Sequence, residues 1–392
     1  MTAKTRFLDA LKENDLKISP VELDKLVSEN LISPFVLEIP VAIKNQAQEL
    51  IAGLYGLRST PDYLKYYSSE LGAQKLVDPG NKAIAMSYDV HWDVTEQKIK
   101  LIEINTNAAF LFLSEPLYRA ARLSSPIPGF DIKHLIQCCE NEIQLSIAKK
   151  SRTLHKPRRL AVIDENPEQQ RLYIEFLFVQ NFLQCHGWDC EILDYRKFKP
   201  SDFDFIYNRF TDFYFESPES EPLRQSFLSG ETTFSPNPFE YFLLADKQRM
   251  IDWCQVDFWN FSNEFTQFKS IVNNYVPRAQ AFSQLDIETI WLERKKYFFK
   301  PKNSFGSKMS YRGSSISRKL FDTLPRDKII RQEFVAAPEV SFLTPDGQQV
   351  FKYDLRLFAY EGVLQTVVAR LYQGQVTNLQ TKYGGYACVK WI

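Results

Sequence analysis

Two short stretches carry oxygen and nitrogen donors in patterns that suit the handling of charge. In Lys100-Leu101-Ile102-Glu103-Ile104-Asn105-Thr106-Asn107, strand alternation puts Glu103 and Asn105 on one face, with Ile102 and Ile104 on the other. Adjacent oxygen-bearing side chains at a strand end suit a hard cation such as Mg²⁺. Asp89, in Ser87-Tyr88-Asp89 on the preceding strand, reaches that face only if the hairpin register allows, since a one-residue slip turns it away. The same pattern is met in an ordinary amphipathic edge strand with a wetted face. Far along the chain, Tyr297-Phe298-Phe299 runs into Lys300-Pro301. Proline keeps the lysine extended, and an ammonium ending an apolar strand can be aimed at a phosphate. The next residues, Lys302 to Lys308, are small and polar enough for backbone N–H groups to fold over phosphate oxygens. Lys-Pro at a strand end is also common without any such role.

These residues need a frame to hold them. With 392 residues the chain can bury the cores of two or three subdomains. Its 48 basic and 48 acidic residues cancel, leaving no net field to draw nucleic acid or an anionic membrane. The 31 Phe and 19 Tyr read as core, because the richest stretch, Phe203 to Phe215, is partly acidic rather than basic. Six cysteines stand at no zinc or redox spacing. With no signal-peptide core and no apolar run near the roughly 18 residues of a spanning helix, the expectation is a cytoplasmic chain with no membrane partner.

Residues 1–80 read as helical, with starts at Ser19-Pro20 and Ser59-Thr60-Pro61. Two strands are expected over 83–91 and 99–105, and a helix over 132–150. From Leu160 the order strand, helix (167–185), strand (190–193), strand (203–207) predicts a small Rossmann-like unit. It lacks a Gly-x-Gly-x-x-Gly turn, which argues against dinucleotide binding there. Strands dominate after Tyr297. The domain reading is therefore 1–80, 81–150, 151–240 and 241–392, in an α/β (α+β) chain.

Taken in order, the C-terminal motifs resemble the ATP-grasp ligases. The resemblance rests on Lys300 with its loop Ser304–Gly306, the segment Gln332-Glu333-Phe334-Val335, Glu339, Asp354 with Arg356, Arg370, Asn378 and Gly384-Gly385. The family's closing metal set does not follow Gly385. Asp89 with Glu103-x-Asn105 looks like that missing piece, so the resemblance is to a circularly permuted member such as eukaryotic-type glutathione synthetase or glutathionylspermidine synthetase. Asp246-Lys247 resembles the Asp-Lys that opens the helix before the nucleotide domain. Gln332 departs from the acid that many members place in the hinge.

The resemblance implies a permuted ATP-grasp fold with a Rossmann-like substrate subdomain and a helical N-terminal region. ATP and Mg²⁺ are the implied cofactors. It assigns Lys247, Lys300, Ser304, Gly306, Gln332, Phe334, Val335, Glu339 and Asn378 to the nucleotide, Asp89, Glu103 and Asn105 to the metal, and Arg356 and Arg370 to catalysis. Asn208 and Arg209, at the end of a Rossmann-like strand, are expected to hold a substrate carboxylate. The implied reaction joins a small-molecule carboxylate, an amino acid or short peptide, to an amine through an acyl phosphate. A phosphotransferase acting on a hydroxyl, and a nucleotide-binding module without turnover, are the other readings. A homodimer is the default expectation for a cytoplasmic enzyme.

Overall fold

The structure is a computed structural model and describes residues 2–13, 16, 18–150, 159–200, 202–282, 286–302 and 309–392. Its strands are β1 (Ile32–Ile39), β2 (Met86–Asp93), β3 (Lys98–Asn105), β4 (Arg159–Asp164), β5 (Asp189–Asp194), β6 (Phe205–Asn208), β7 (Thr233–Ser235) and β8 (Ala279–Ala281). The C-terminal part adds β9 (Tyr297–Pro301), β10 (Tyr311–Arg312), β11 (Ile329–Glu333), β12 (Glu339–Thr344), β13 (Gly347–Tyr360), β14 (Val363–Tyr372) and β15 (Gly385–Trp391). They form three sheets: a large one in the order β1-β15-β14-β13-β2-β3 with β12 also on β13, a small one in the order β10-β9-β11-β8, and a third in the order β5-β4-β6-β7.

The large sheet joins sequence-distant segments. β13 and β14 form a hairpin whose two turn residues, Glu361 and Gly362, both have positive φ (48° and 77°), the twist a two-residue loop requires. β2 and β3 add to the outer side of β13, and β1 lies parallel to β15 at the opposite edge. The N-terminal region is therefore not wholly helical. Pro34 breaks the strand pattern of Ile32–Ile39 in the sequence, but an edge strand tolerates a missing N–H. β15 starts at Gly385, with φ +92° and a Cβ position only 2.3 Å from Asn30 O, so a side chain there would collide with the loop leading into β1.

The helix Val41–Ser59 covers the large sheet with Ile43, Ala47, Leu50, Ile51, Leu54 and Leu57, all buried on one stripe. Both expected helix starts are present: Ser19 Oγ accepts from Glu22 N at 3.2 Å, and Pro61 opens the helix Pro61–Tyr66. Strands β4 to β7 are all parallel, and the helix Tyr173–Cys185 packs on β4 and β5. The Rossmann-like unit thus has one more strand, β7, than the sequence predicts, since Thr233–Ser235 is too short to show a period.

A main core runs from Phe7 to Val389 through the large sheet and the parallel unit. A second core, formed by Phe282, Ile290, Phe299, Ile316, Phe321, Leu324 and Ile329, sits on one face of the small sheet. The other face of that sheet, carrying Phe298, Lys300 and Gln332, is left to line a cavity. No helix among the described residues is long and apolar enough to cross a membrane.

Candidate functional site

The floor of the cavity is a polar row written across five strands by register. Asp89 on β2 stands opposite Glu103 on β3 and Arg356 on β13, while Asp354 stands opposite Arg370 on β14, which in turn faces Tyr386 on β15. Directly opposed residues share a face, so alternating polar positions in five separate segments meet on one surface. Arg356 grips Asp89 with two hydrogen bonds (Nε–Oδ1 2.9 Å, Nη2–Oδ2 2.7 Å). Arg370 donates to Asp89 Oδ2 at 2.7 Å and to Asp354 Oδ1 at 2.7 Å. Burial alone would raise the Asp89 carboxyl, but the two guanidinium charges outweigh it and hold the group well below the usual carboxylate range.

Glu103 and Asn105 lie beside this pair, with Asn105 Nδ2 3.3 Å from Glu103 Oε1 and 3.4 Å from Asp89 Oδ2. Asp89 thus falls on the same face as Glu103. The alternation fails at Ile102. Asp89 pairs with Glu103 but Val90 pairs with Leu101, leaving Ile102 as a bulge residue. Ile102 therefore lines the cavity together with Glu103 and Asn105. Its carbonyl accepts from Lys300 Nζ at 2.7 Å.

The small sheet supplies the facing wall. Pairing Phe298 with Gln332 and Lys300 with Ile330 puts the lysine and the glutamine on one face. Lys300 is 5% exposed and has no ion pair among the described residues. Burial, with Lys247 adding like charge, pulls its ammonium down to about 7, only partly offset by Glu103 and Asp89. Lys247 also lines the cavity. It follows Asp246, whose carboxylate accepts from Tyr214 Oη at 2.5 Å and from Gln248 N at 2.9 Å.

Between the sheets, residues 332–337 form a strap along the cavity. Its amides at Glu333 and Phe334 donate to Arg278 O and Lys296 O, each at 2.8 Å. His91 lies two residues after Asp89 on β2, and its Nδ1 is 3.1 Å from Val335 O. The Arg312 guanidinium lies 4.3 Å from the Phe334 ring centroid. Glu339 and Asn378 line the cavity as well. The Asn378 side chain, however, is spent on its own loop, donating to Gln373 O at 2.8 Å and accepting from Gln380 N and Thr381 N. That leaves its amide little capacity for a ligand.

The third wall is the carboxyl end of the parallel sheet. Arg209, just after β6, lines the cavity and donates to the carbonyls of Asn107 and Ala108. Asp164, ending β4, shares this wall, and burial pushes its carboxyl up to about 7 despite the Arg209 charge. Asn208 is not brought to the cavity: it is buried, accepts from Phe210 N at 3.1 Å and stabilises the strand-end turn. The loop Asn107–Phe112 joins all three walls. Arg209 and Arg356 hold its carbonyls, while Glu175 accepts from Phe110 N at 2.8 Å and Phe112 N at 3.2 Å.

The cavity volume is about 790 Å³, within the range of sites for small molecules. It collects Asp89, Glu103, Asn105, Arg209, Lys247, Lys300, Gln332, Phe334, Val335, Glu339, Arg356, Arg370 and Asn378 from the residues singled out in the sequence. Ser304 and Gly306 lie outside the described residues. Sequence reasoning missed His91, Asp164 and Arg312. The first shares the alternation that picked out Asp89, and the second is the polar residue ending the first parallel strand, where open sheets hold ligands.

Among the described residues no cluster of three or more His, Cys, Asp or Glu could hold a metal by itself. Asp89 is taken up by two arginines, which leaves Glu103 and Asn105 as oxygen donors. That pair fits a hard cation that draws its remaining oxygens from a bound ligand and water.

No protein-family model and no curated protein matches the chain. Among solved structures, the apo form of a glutathione synthetase-like effector (GSS30) from Globodera pallida is similar over 100% of this chain and 96% of that one, with 13% identity and a TM-score of 0.58. A putative γ-glutamylcysteine synthetase from Methylobacillus flagellatus KT is similar over 89% of this chain and 86% of that one, with 10% identity and a TM-score of 0.44. D-cycloserine synthetase DcsG is similar over 55% and 75%, with 12% identity and a TM-score of 0.33. At these identities the likeness is one of fold, and the fold is ATP-grasp-like.

Proposed function

We propose that the cavity binds ATP together with a divalent cation and that the chain is an ATP-dependent carboxylate–amine ligase. The observation that carries this reading is the convergence of four cationic side chains, Lys247, Lys300, Arg356 and Arg370, with Glu103 and Asn105 in one cavity bordered by a strap. Among the described residues buried Lys300 has no ion pair, and a triphosphate would supply one. The strap 332–337 would hold the base, and Glu339 the ribose. Strands β2 and β3, placed beside β13, bring the cation-holding residues from the 81–150 segment, the arrangement expected of a permuted chain.

Glu103 and Asn105 would hold Mg²⁺, which neutralises phosphate charge when bound. The protein's part is alignment and electrostatic stabilisation, because phosphoryl transfer asks little covalent chemistry of it. A substrate carboxylate oxygen attacks the γ-phosphorus and ADP leaves. An amine then attacks the acyl carbon and inorganic phosphate leaves. Arg356 and Arg370 would stabilise charge on the transferring group, exchanging Asp89 for phosphate oxygens. The parallel-sheet wall brings the Arg209 guanidinium and the Asp164 carboxyl to one end of the cavity, a donor and an acceptor suited to an amino acid or a short peptide.

The direct test is phosphate release with MgATP across a panel of amino acids and amines. Release of ADP and phosphate in equal amounts that requires both an acid and an amine supports the ligase. ADP release with a stable phosphorylated product and no free phosphate would make the protein a phosphotransferase. Binding of MgATP without turnover across the panel would leave a nucleotide-binding module.

A further inference from the structure

Part of the backbone of the strap meant to hold a nucleobase is already engaged. The amide groups of Glu333 and Phe334 are tied to Arg278 O and Lys296 O, and the carbonyl of Val335 is engaged by His91. A carbonyl only accepts, so the proton of that hydrogen bond sits on His91 Nδ1. In the neutral ring Nε2 is then an acceptor, and it has no hydrogen-bond partner among the described residues. His91 lines the cavity with Ile102, Phe298 and Gln332, on the same strand face as Asp89.

On the reading of this cavity as a nucleotide site, we propose that His91 is a base-specificity residue whose Nε2 accepts a hydrogen bond from the 6-amino group of adenine. A 6-oxo purine presents an acceptor at that position, so two lone pairs would face each other and guanine nucleotides would be rejected. The Val335 carbonyl fixes the tautomer and the ring orientation. Discrimination therefore comes from a side chain on the large sheet and not from the strap backbone alone.

The test compares binding of MgATP, MgGTP and the triphosphate of purine riboside, which lacks the 6-amino group, by calorimetry. Wild type, His91→Leu and His91→Gln are measured, with folding checked by circular dichroism. One hydrogen bond to the amino group makes wild type favour MgATP over the purine riboside triphosphate by about 10-fold. His91→Leu should erase that gap by weakening MgATP while leaving the purine riboside triphosphate unchanged, and should relieve the rejection of MgGTP; His91→Gln, which keeps an acceptor, should restore part of the gap. A gap that survives in His91→Leu overturns the proposal. Equal weakening of all three triphosphates also overturns it, since that is the mark of a residue that only positions the strap. If none of the three binds wild type, the nucleotide reading itself falls; MgATP binding with no dependence on the 6-amino group removes only the role of His91.

Discussion

On the large-sheet wall of the cavity, Asp89 lies between Arg356 and Arg370 with every charge matched at 2.7–2.9 Å. On the small-sheet wall, Lys300 is also buried, and among the described residues its ammonium has the Ile102 carbonyl at 2.7 Å and no ion pair. One wall has built its counter-ions into the fold. The other holds a cation whose charged form burial disfavours, pulled down to about 7. The difference teaches where a ligand gains most. A polyanion reaching the arginines must displace an existing partner, whereas one reaching Lys300 relieves a standing penalty.

Removing the matched partner should have the largest effect. Asp89→Ala strands the buried Arg356 guanidinium and leaves Arg370 to Asp354 alone, and is expected to cost about 3–5 kcal/mol of folding stability by chemical denaturation. A loss under about 1 kcal/mol would mean that water or Asp354 replaces Asp89, and the contrast between the walls would collapse.

Lys300→Met tests the unmatched wall. Without ligand it should leave the protein as stable as wild type at pH 7, or more so. It should also remove most of the stabilisation, about 2.7 kcal/mol at 100 times Kd, that a non-hydrolysable ATP analogue with Mg²⁺ gives wild type. A large loss of ligand-free stability would show that Lys300 is a structural cation after all.

The pH dependence sharpens the same point. An unfolded lysine stays protonated to about 10.4, whereas Lys300 in the fold loses its proton at about 7. Between those values the unfolded state binds more protons, so stability rises with pH. The stability difference between wild type and Lys300→Met should therefore move in favour of wild type from pH 7 to 9.5 in urea titrations. A pH-independent difference would contradict the buried, unpaired ammonium.

The smallest expected effect lies in the loop that joins the walls. Glu175→Gln keeps one acceptor for the amides of Phe110 and Phe112 but removes the other, and should cost about 1 kcal/mol. Phe110 has φ +84°, a conformation held by such contacts. Faster amide exchange confined to 107–112 would identify Glu175 as the tether, whereas a global change would assign it to the core.

Some of this was legible in residue order and some was not. Alternation in Glu103-Ile104-Asn105 and the apolar run before Lys300 are local, so they survive in any fold containing those strands. The bulge at Ile102 depends on how β3 meets β2, and no pattern within β3 announces it. The strand Ile32–Ile39 was hidden by Pro34 and by the helical stretches around it; its partner β15 lies some 350 residues later, as in the pairing of Glu38 with Lys390. Asn208 has the right residue type at a strand end, but its side chain is captured by the turn it begins.

By itself the sequence determined the set of chemical groups, the strand and helix periods and the parallel unit, because these follow from contacts between near neighbours in the chain. Tertiary structure alone decided that Asp89 is bound by two arginines from β13 and β14, that Lys300 is buried with no ion pair among the described residues, and that His91 engages the strap. Those outcomes depend on register and on burial between sheets. Both are set by packing among segments hundreds of residues apart, and a local pattern carries no information about them.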